Sequence, residues 1–93
     1  MILCDGDKLF VQGPITIGNV AAVIEQGITL FNHPDLVIDL AQVTEVDSSA
    51  VSMLLEWRRK AHEHNQQLYF SNMPKNLKNL AQLYGVSELI LLA

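Results

Sequence analysis

The run Leu36-Val37-Ile38-Asp39-Leu40 constrains this chain more than any other segment. It is dense in apolar residues, as expected of a central strand covered by helices. Beyond a short spacer, Ala41 to Val46, the pattern changes at Asp47-Ser48-Ser49-Ala50 to one of helical period, running from Val51 to His62. A buried strand followed by an amphipathic helix must fold that helix back onto a sheet. The chain is therefore α/β.

The other segments fit that frame. Lys8-Leu9-Phe10-Val11-Gln12 alternates as a strand and pairs with Ile2-Leu3-Cys4 across the tight turn Asp5-Gly6-Asp7. Gly13-Pro14 is expected to break it. Thr16 is the expected N-cap of a helix reaching about Leu30. Ile17, Val20, Ala21, Ile24, Ile28 and Phe31 form its core stripe, widened by Ala22, Val23 and Gly27, and His33-Pro34-Asp35 closes it. Gln67 to Ser71 reads as a strand. Asn72 and Pro74 introduce a last helix with Leu77, Leu80, Ala81 and Tyr84 inward and Gly85 as its stop. Leu89-Ile90-Leu91-Leu92 reads as a short strand or docked tail. The order β, β, α, β, α, β, α predicts one domain over residues 1–93, a mixed central sheet packed against helices.

Composition excludes several function classes. Ten acidic residues against six Lys and Arg give a formal charge of −4, which argues against a nucleic-acid surface. The Arg58-Arg59-Lys60 cluster falls late in a helix, where cations offset the helix dipole. No apolar stretch reaches the roughly 18 residues of a membrane span, and Met1 to Asp5 lacks the basic start of a signal peptide. The single Cys4 fits a reducing cytoplasm and reads as a packing residue.

Signals for catalysis are thin. The five glycines make no phosphate loop. His62 and His64, two apart, point to nearly opposite sides of a helix and do not chelate a metal together. A triad of Ser48, His33 and Asp39 can be written down, but nothing in the sequence brings His33 within reach. Asp39 is better read as a carboxylate bonding loop amides. No metal or cofactor is called for, and the chain is read as not an enzyme.

The Asp47-Ser48 junction carries more. At 100° per residue, Ala50, Val51, Leu54, Trp57 and Ala61 share an apolar face with Leu55 at its edge. Ser48, Ser49, Ser52, Glu56, Arg59 and Glu63 lie opposite, with Met53 on the border beside Ser49. Asp47 or Ser48 can cap the helix, and a phosphate on Ser48 would add about −1.5 to −2 charge beside Asp47. The junction is thus a plain cap, a phosphorylation switch or a docking patch.

These residues resemble a known family. Leu36 to Leu40, the spacer, Asp47-Ser48-Ser49-Ala50-Val51, and Leu68-Tyr69-Phe70-Ser71-Asn72-Met73-Pro74 with the helix that follows are similar to the signature of STAS domains, the fold of bacterial anti-sigma factor antagonists. The family usually has Gly where this chain has Ala50. The short ending and Leu80-Ala81-Gln82-Leu83-Tyr84 look like the MlaB-type branch, the small STAS subunit of the phospholipid-transport ABC system that maintains outer-membrane lipid asymmetry. The resemblance implies a non-enzymatic cytoplasmic subunit, peripheral to the inner membrane, that docks on the transporter's ATPase. Ser48 would then be the docking residue, flanked by Asp47, Ser49, Ser52, Met53 and Glu56. The alternative it implies is an anti-sigma factor antagonist in which a kinase-type anti-sigma factor phosphorylates Ser48. The first helix and the Leu-rich tail each also offer a homodimer surface.

Overall fold

A computed structural model describes residues 2–86. Its elements are β1 (Ile2–Asp5), β2 (Lys8–Ile15), α1 (Val20–Thr29), β3 (Asp35–Val46), α2 (Ser48–Glu63), β4 (Gln67–Ser71) and α3 (Lys75–Leu83). The sheet order is β1-β2-β3-β4. β1 runs antiparallel to β2, and β2–β3 and β3–β4 are parallel, so the sheet is mixed. The hairpin closes at the pair Asp5–Lys8 over a two-residue turn, in which Gly6 takes a left-handed φ of 65°. Each parallel connection passes through a helix, as parallel pairing requires. Leu89 to Leu92 lie outside the described residues.

Period-two alternation decides what each strand buries. Leu9 and Val11 of β2, Leu36, Ile38 and Leu40 of β3, and Leu68 and Phe70 of β4 join the core. Phe10 and Val37 are half-buried and Tyr69 is exposed, so β3 is covered more fully on one face than on the other.

Trp57 of α2 organises the helical layer. Fully buried, it donates its indole N–H to the Ile24 carbonyl of α1 at 3.1 Å and meets the Phe31 ring edge-on at 6.2 Å. Gly27 makes this close approach possible. A Cβ added there would lie 2.4 Å from Trp57 Cζ2.

The structure departs from the sequence expectations in particular places. β2 is not broken at Gly13-Pro14 but continues to Ile15 with irregular register and a Gly13 φ of 85°. β1 pairs only as far as Val11, so Pro14 deprives it of no ladder bond. β3 runs on through the spacer to Val46. α1 begins at Val20 rather than at Thr16, whose carbonyl instead accepts the Asn19 and Val20 amides in a turn. Ile17 is consequently 79% exposed and Ala21 is exposed as well. Tyr84, expected inward, is the C-cap of α3 and 56% exposed. Cys4 is exposed rather than packed.

Both later helices end in Schellman closures. Gln66 N–H reaches the Ala61 carbonyl over Asn65 at φ 56°, and Val86 N–H reaches the Ala81 carbonyl over Gly85 at φ 71°.

Gly27→Ala should destabilise the fold by about 1–3 kcal/mol. The clash with an immobile indole outweighs the gain of about 1 kcal/mol in helix propensity. Urea unfolding followed by Trp57 fluorescence measures this, and a stabilised variant would contradict the packing described.

Candidate docking site at the start of α2

Asp47 is the N-cap of α2, with extended backbone at φ −125°. Its Oδ1 accepts the Ser49 amide at 2.9 Å and the Ser49 hydroxyl. Its Oδ2 accepts the Ile17 amide at 2.9 Å, and its own N–H donates to the Ile15 carbonyl at 3.3 Å. The Ser49 hydroxyl above all, then the Ile17 amide, holds the Asp47 carboxyl below its usual range. One carboxylate thus caps the helix and fastens the β2–α1 turn beside it. Asn19 braces the same turn, its Oδ1 accepting the Thr16 amide at 2.9 Å and its Nδ2 donating to the Pro14 carbonyl at 2.8 Å, and α1 begins after it.

Ser48 is the first residue of α2 and is exposed. Its hydroxyl has no partner among the described residues. It stands at the edge of a groove of about 300 Å³ lined by Ser48, Val51, Ser52, Leu55, Tyr84 and Val86. The α2 wall follows helical spacing i, i+3, i+4, i+7, so two hydroxyls alternate with two aliphatic side chains. The end of α3 supplies the other wall. Leu83, 76% exposed, adds apolar surface at the end of α3.

The residues expected at this site divide. Ser48 and Ser52 share the groove. Ser49 is buried, its hydroxyl spent on Asp47. Met53 is fully buried and presents no surface to a partner. The reason is that α2 lies between α1 and α3 and rests on β4, so its buried arc is wider than one wheel face. Glu56 sits a turn away, paired with Arg59, which also pairs with Glu63. Such exposed pairs contribute little. Val51, Leu55, Tyr84 and Val86 also line the groove, although the sequence pattern assigns Val51 and Tyr84 to the core and Leu55 to its edge. The i, i+3, i+4, i+7 stripe from Ser48 to Leu55 was the available signal for the first two, and nothing local marked Tyr84 or Val86.

Asp39 forms a separate cluster. Only 6% exposed, its Oδ1 accepts the Ala41 amide at 2.8 Å and its Oδ2 the Asn72 side-chain amide at 3.0 Å, with Lys8 Nζ at 3.7 Å. The Ala41 amide leads in holding its carboxyl low, against the opposing effect of burial. The side chain therefore bonds a backbone amide, as expected, but that of Ala41 within β3 rather than one in a loop. Among the described residues, no hydrogen bond links Ser48, His33 and Asp39, and no group of three His, Cys, Asp or Glu is placed to hold a metal. None of the described helices is long and apolar enough to cross a membrane.

The family profile described as Mlab, STAS domain matches residues 5–92. The chain belongs to the MlaB-type STAS domain family. Its fold is that of two solved structures. A chain of the Acinetobacter MlaFEDB complex in its ATP-bound Vtrans2 conformation superposes with a TM-score of 0.85 at 22% identity, covering 100% of this chain and 99% of that one. The anti-sigma factor antagonist SpoIIAA in its unphosphorylated form superposes with a TM-score of 0.73 at 13% identity, covering 100% and 86%. No curated protein sequence matches significantly. Where STAS domains usually carry Gly, Ala50 is buried within α2, in ordinary helical conformation.

The two depressed carboxyls set an acid limit for this STAS domain. Their stabilisation is complete above the unfolded-state value of about 3.9 and is lost as pH falls through the lower folded-state values. Stability measured by urea unfolding from about pH 5 down to about pH 2 should therefore fall less steeply in Asp39→Asn than in the wild type. Equal slopes would show that Asp39 carries no such linkage.

Proposed function

We infer that this STAS domain is a non-enzymatic subunit that docks, through the groove beside Ser48, on the cytoplasmic ATPase of a phospholipid-transport ABC system. The observation that carries this reading is an exposed, unpartnered Ser48 hydroxyl at the mouth of a half-apolar groove, while the neighbouring Ser49 hydroxyl is consumed by Asp47. Apolar surface flanked by hydroxyls suits a protein partner better than a charged small molecule. The likeness to a chain of the MlaFEDB complex supports the choice of partner. The domain would thus lie in the cytoplasm, held to the inner membrane by the ATPase.

Ser48→Asp should weaken binding to the purified transporter ATPase by at least about tenfold, roughly 1.4 kcal/mol. A carboxylate at the contact must be desolvated without a partner. Asp is compatible with a helix N-terminus, so circular dichroism should not change. Unchanged affinity in a folded variant would sink the reading.

A second reading is favoured by the likeness to SpoIIAA and by the exposure of Ser48. Here the domain is an anti-sigma factor antagonist and Ser48 the phosphoacceptor. Incubation with a kinase-type anti-sigma factor and ATP separates the two. A phosphate found by mass spectrometry on the wild type and absent from Ser48→Ala would establish the switch, and no transfer is expected under the transporter reading.

A further inference from the structure

A groove lined by Ser48, Val51, Ser52, Leu55, Tyr84 and Val86 is too small to be a whole docking surface. A stable interface takes roughly 20–30 residues a side. The contact must therefore spread beyond the groove, and two features of the molecule mark the direction.

The first is where the exposed apolar side chains lie. Among the described residues, the three most exposed large ones are Ile17 at 79%, Leu83 at 76% and Tyr84 at 56%. Scattered singly, such side chains need no explanation, but gathered together they mark an interaction surface. Tyr84 lines the groove with Ser48, and Leu83 precedes it in the chain. The Ile17 amide is 2.9 Å from Asp47 Oδ2, which places it within about 11 Å of the Ser48 Cα. One partner's usual share of an interface, about 800 Å², has a radius of about 16 Å and spans that distance.

The second feature is charge. No charged residue occurs from Leu9 to Ile24, in a chain whose formal charge is −4. The β2–α1 turn and the start of α1 therefore expose Ile17, Gly18, Ala21 and Ala22 with no ionisable group among them. Along α2, by contrast, the surface passes into the ion-paired Glu56, Arg59 and Glu63. Interface cores are depleted of charge and their rims are polar. The core of the contact thus extends toward the turn, and α2 supplies the rim.

The fold itself makes little use of the Ile17 side chain. What Ile17 gives the turn is its amide, bonded to Asp47, and any residue but proline offers the same group. The bonds from Asn19 and Asp47 brace this turn before a partner arrives, which lowers the ordering cost of burying the side chain it carries. On the reading that the domain docks through the groove, we propose that Ile17 is an apolar anchor of the same surface, received by a hydrophobic recess of the ATPase.

The test compares the wild-type full chain with Ile17→Ser, Ile17→Val and Ser48→Asp in titrations against the purified transporter ATPase, with the urea midpoint of each measured alongside. Ile17→Ser should bind about tenfold more weakly and Ile17→Val within about threefold of the wild type, as loss of most or little of the apolar contact implies. Neither substitution should lower the urea midpoint. Undiminished binding by Ile17→Ser beside weakened binding by Ser48→Asp would overturn the anchor and leave docking at the groove standing. Absence of binding by the wild type would remove both. A midpoint lowered in Ile17→Ser would put the side chain in the service of the fold and overturn the anchor as well.

Discussion

One carboxylate holds the start of α2 and the β2–α1 turn together. Asp47 accepts hydrogen bonds from Ser49 on one side and from Ile17 on the other, while its own amide reaches Ile15. The start of α2 is thereby tied to a turn 30 residues earlier in the chain. The helix cap and the fastening of the β2–α1 turn beside it both follow from that arrangement. Removing the carboxylate would loosen both segments together.

The second constraint is the crossing of α1 over α2. Gly27 lacks the Cβ that would strike Trp57, and the indole N–H is satisfied by the Ile24 carbonyl, so a large aromatic is buried with no polar cost. This contact brings α1 close to α2 while Asp47 fixes the far end of the preceding turn. Together they hold α2 on the sheet with one edge free, between the start of that helix and the end of α3.

The element order and the mixed sheet were legible because strand and helix periods differ clearly along the chain. Asp39 was legible as well: one acid in an apolar strand needs an amide, and the Ala41 backbone provides it. What escaped the sequence depended on competition between distant groups. Thr16 and Ile17 carry a good helix-start signal, yet a turn braced by Asn19 on Thr16 and Pro14 and by Asp47 on Ile17 takes its place. Gly13-Pro14 usually ends a strand, yet β1 has already stopped pairing there. Met53 sat at a wheel border, and only the presence of neighbours on both sides of α2 sends it inward. Tyr84 and Val86 belong to the groove through the packing of α3, which no local pattern records.

The groove has walls of unequal evolutionary freedom. Val51 is part of the hydrophobic core and Leu55 packs against it, so the aliphatic half of the α2 wall cannot change without disturbing the fold. Tyr84 stands exposed at the end of α3, beyond its last helical turn, where substitutions cost the core little. Homologous domains can therefore diverge in what the groove fits by varying one short segment near residue 84, while keeping the aliphatic half of the α2 wall.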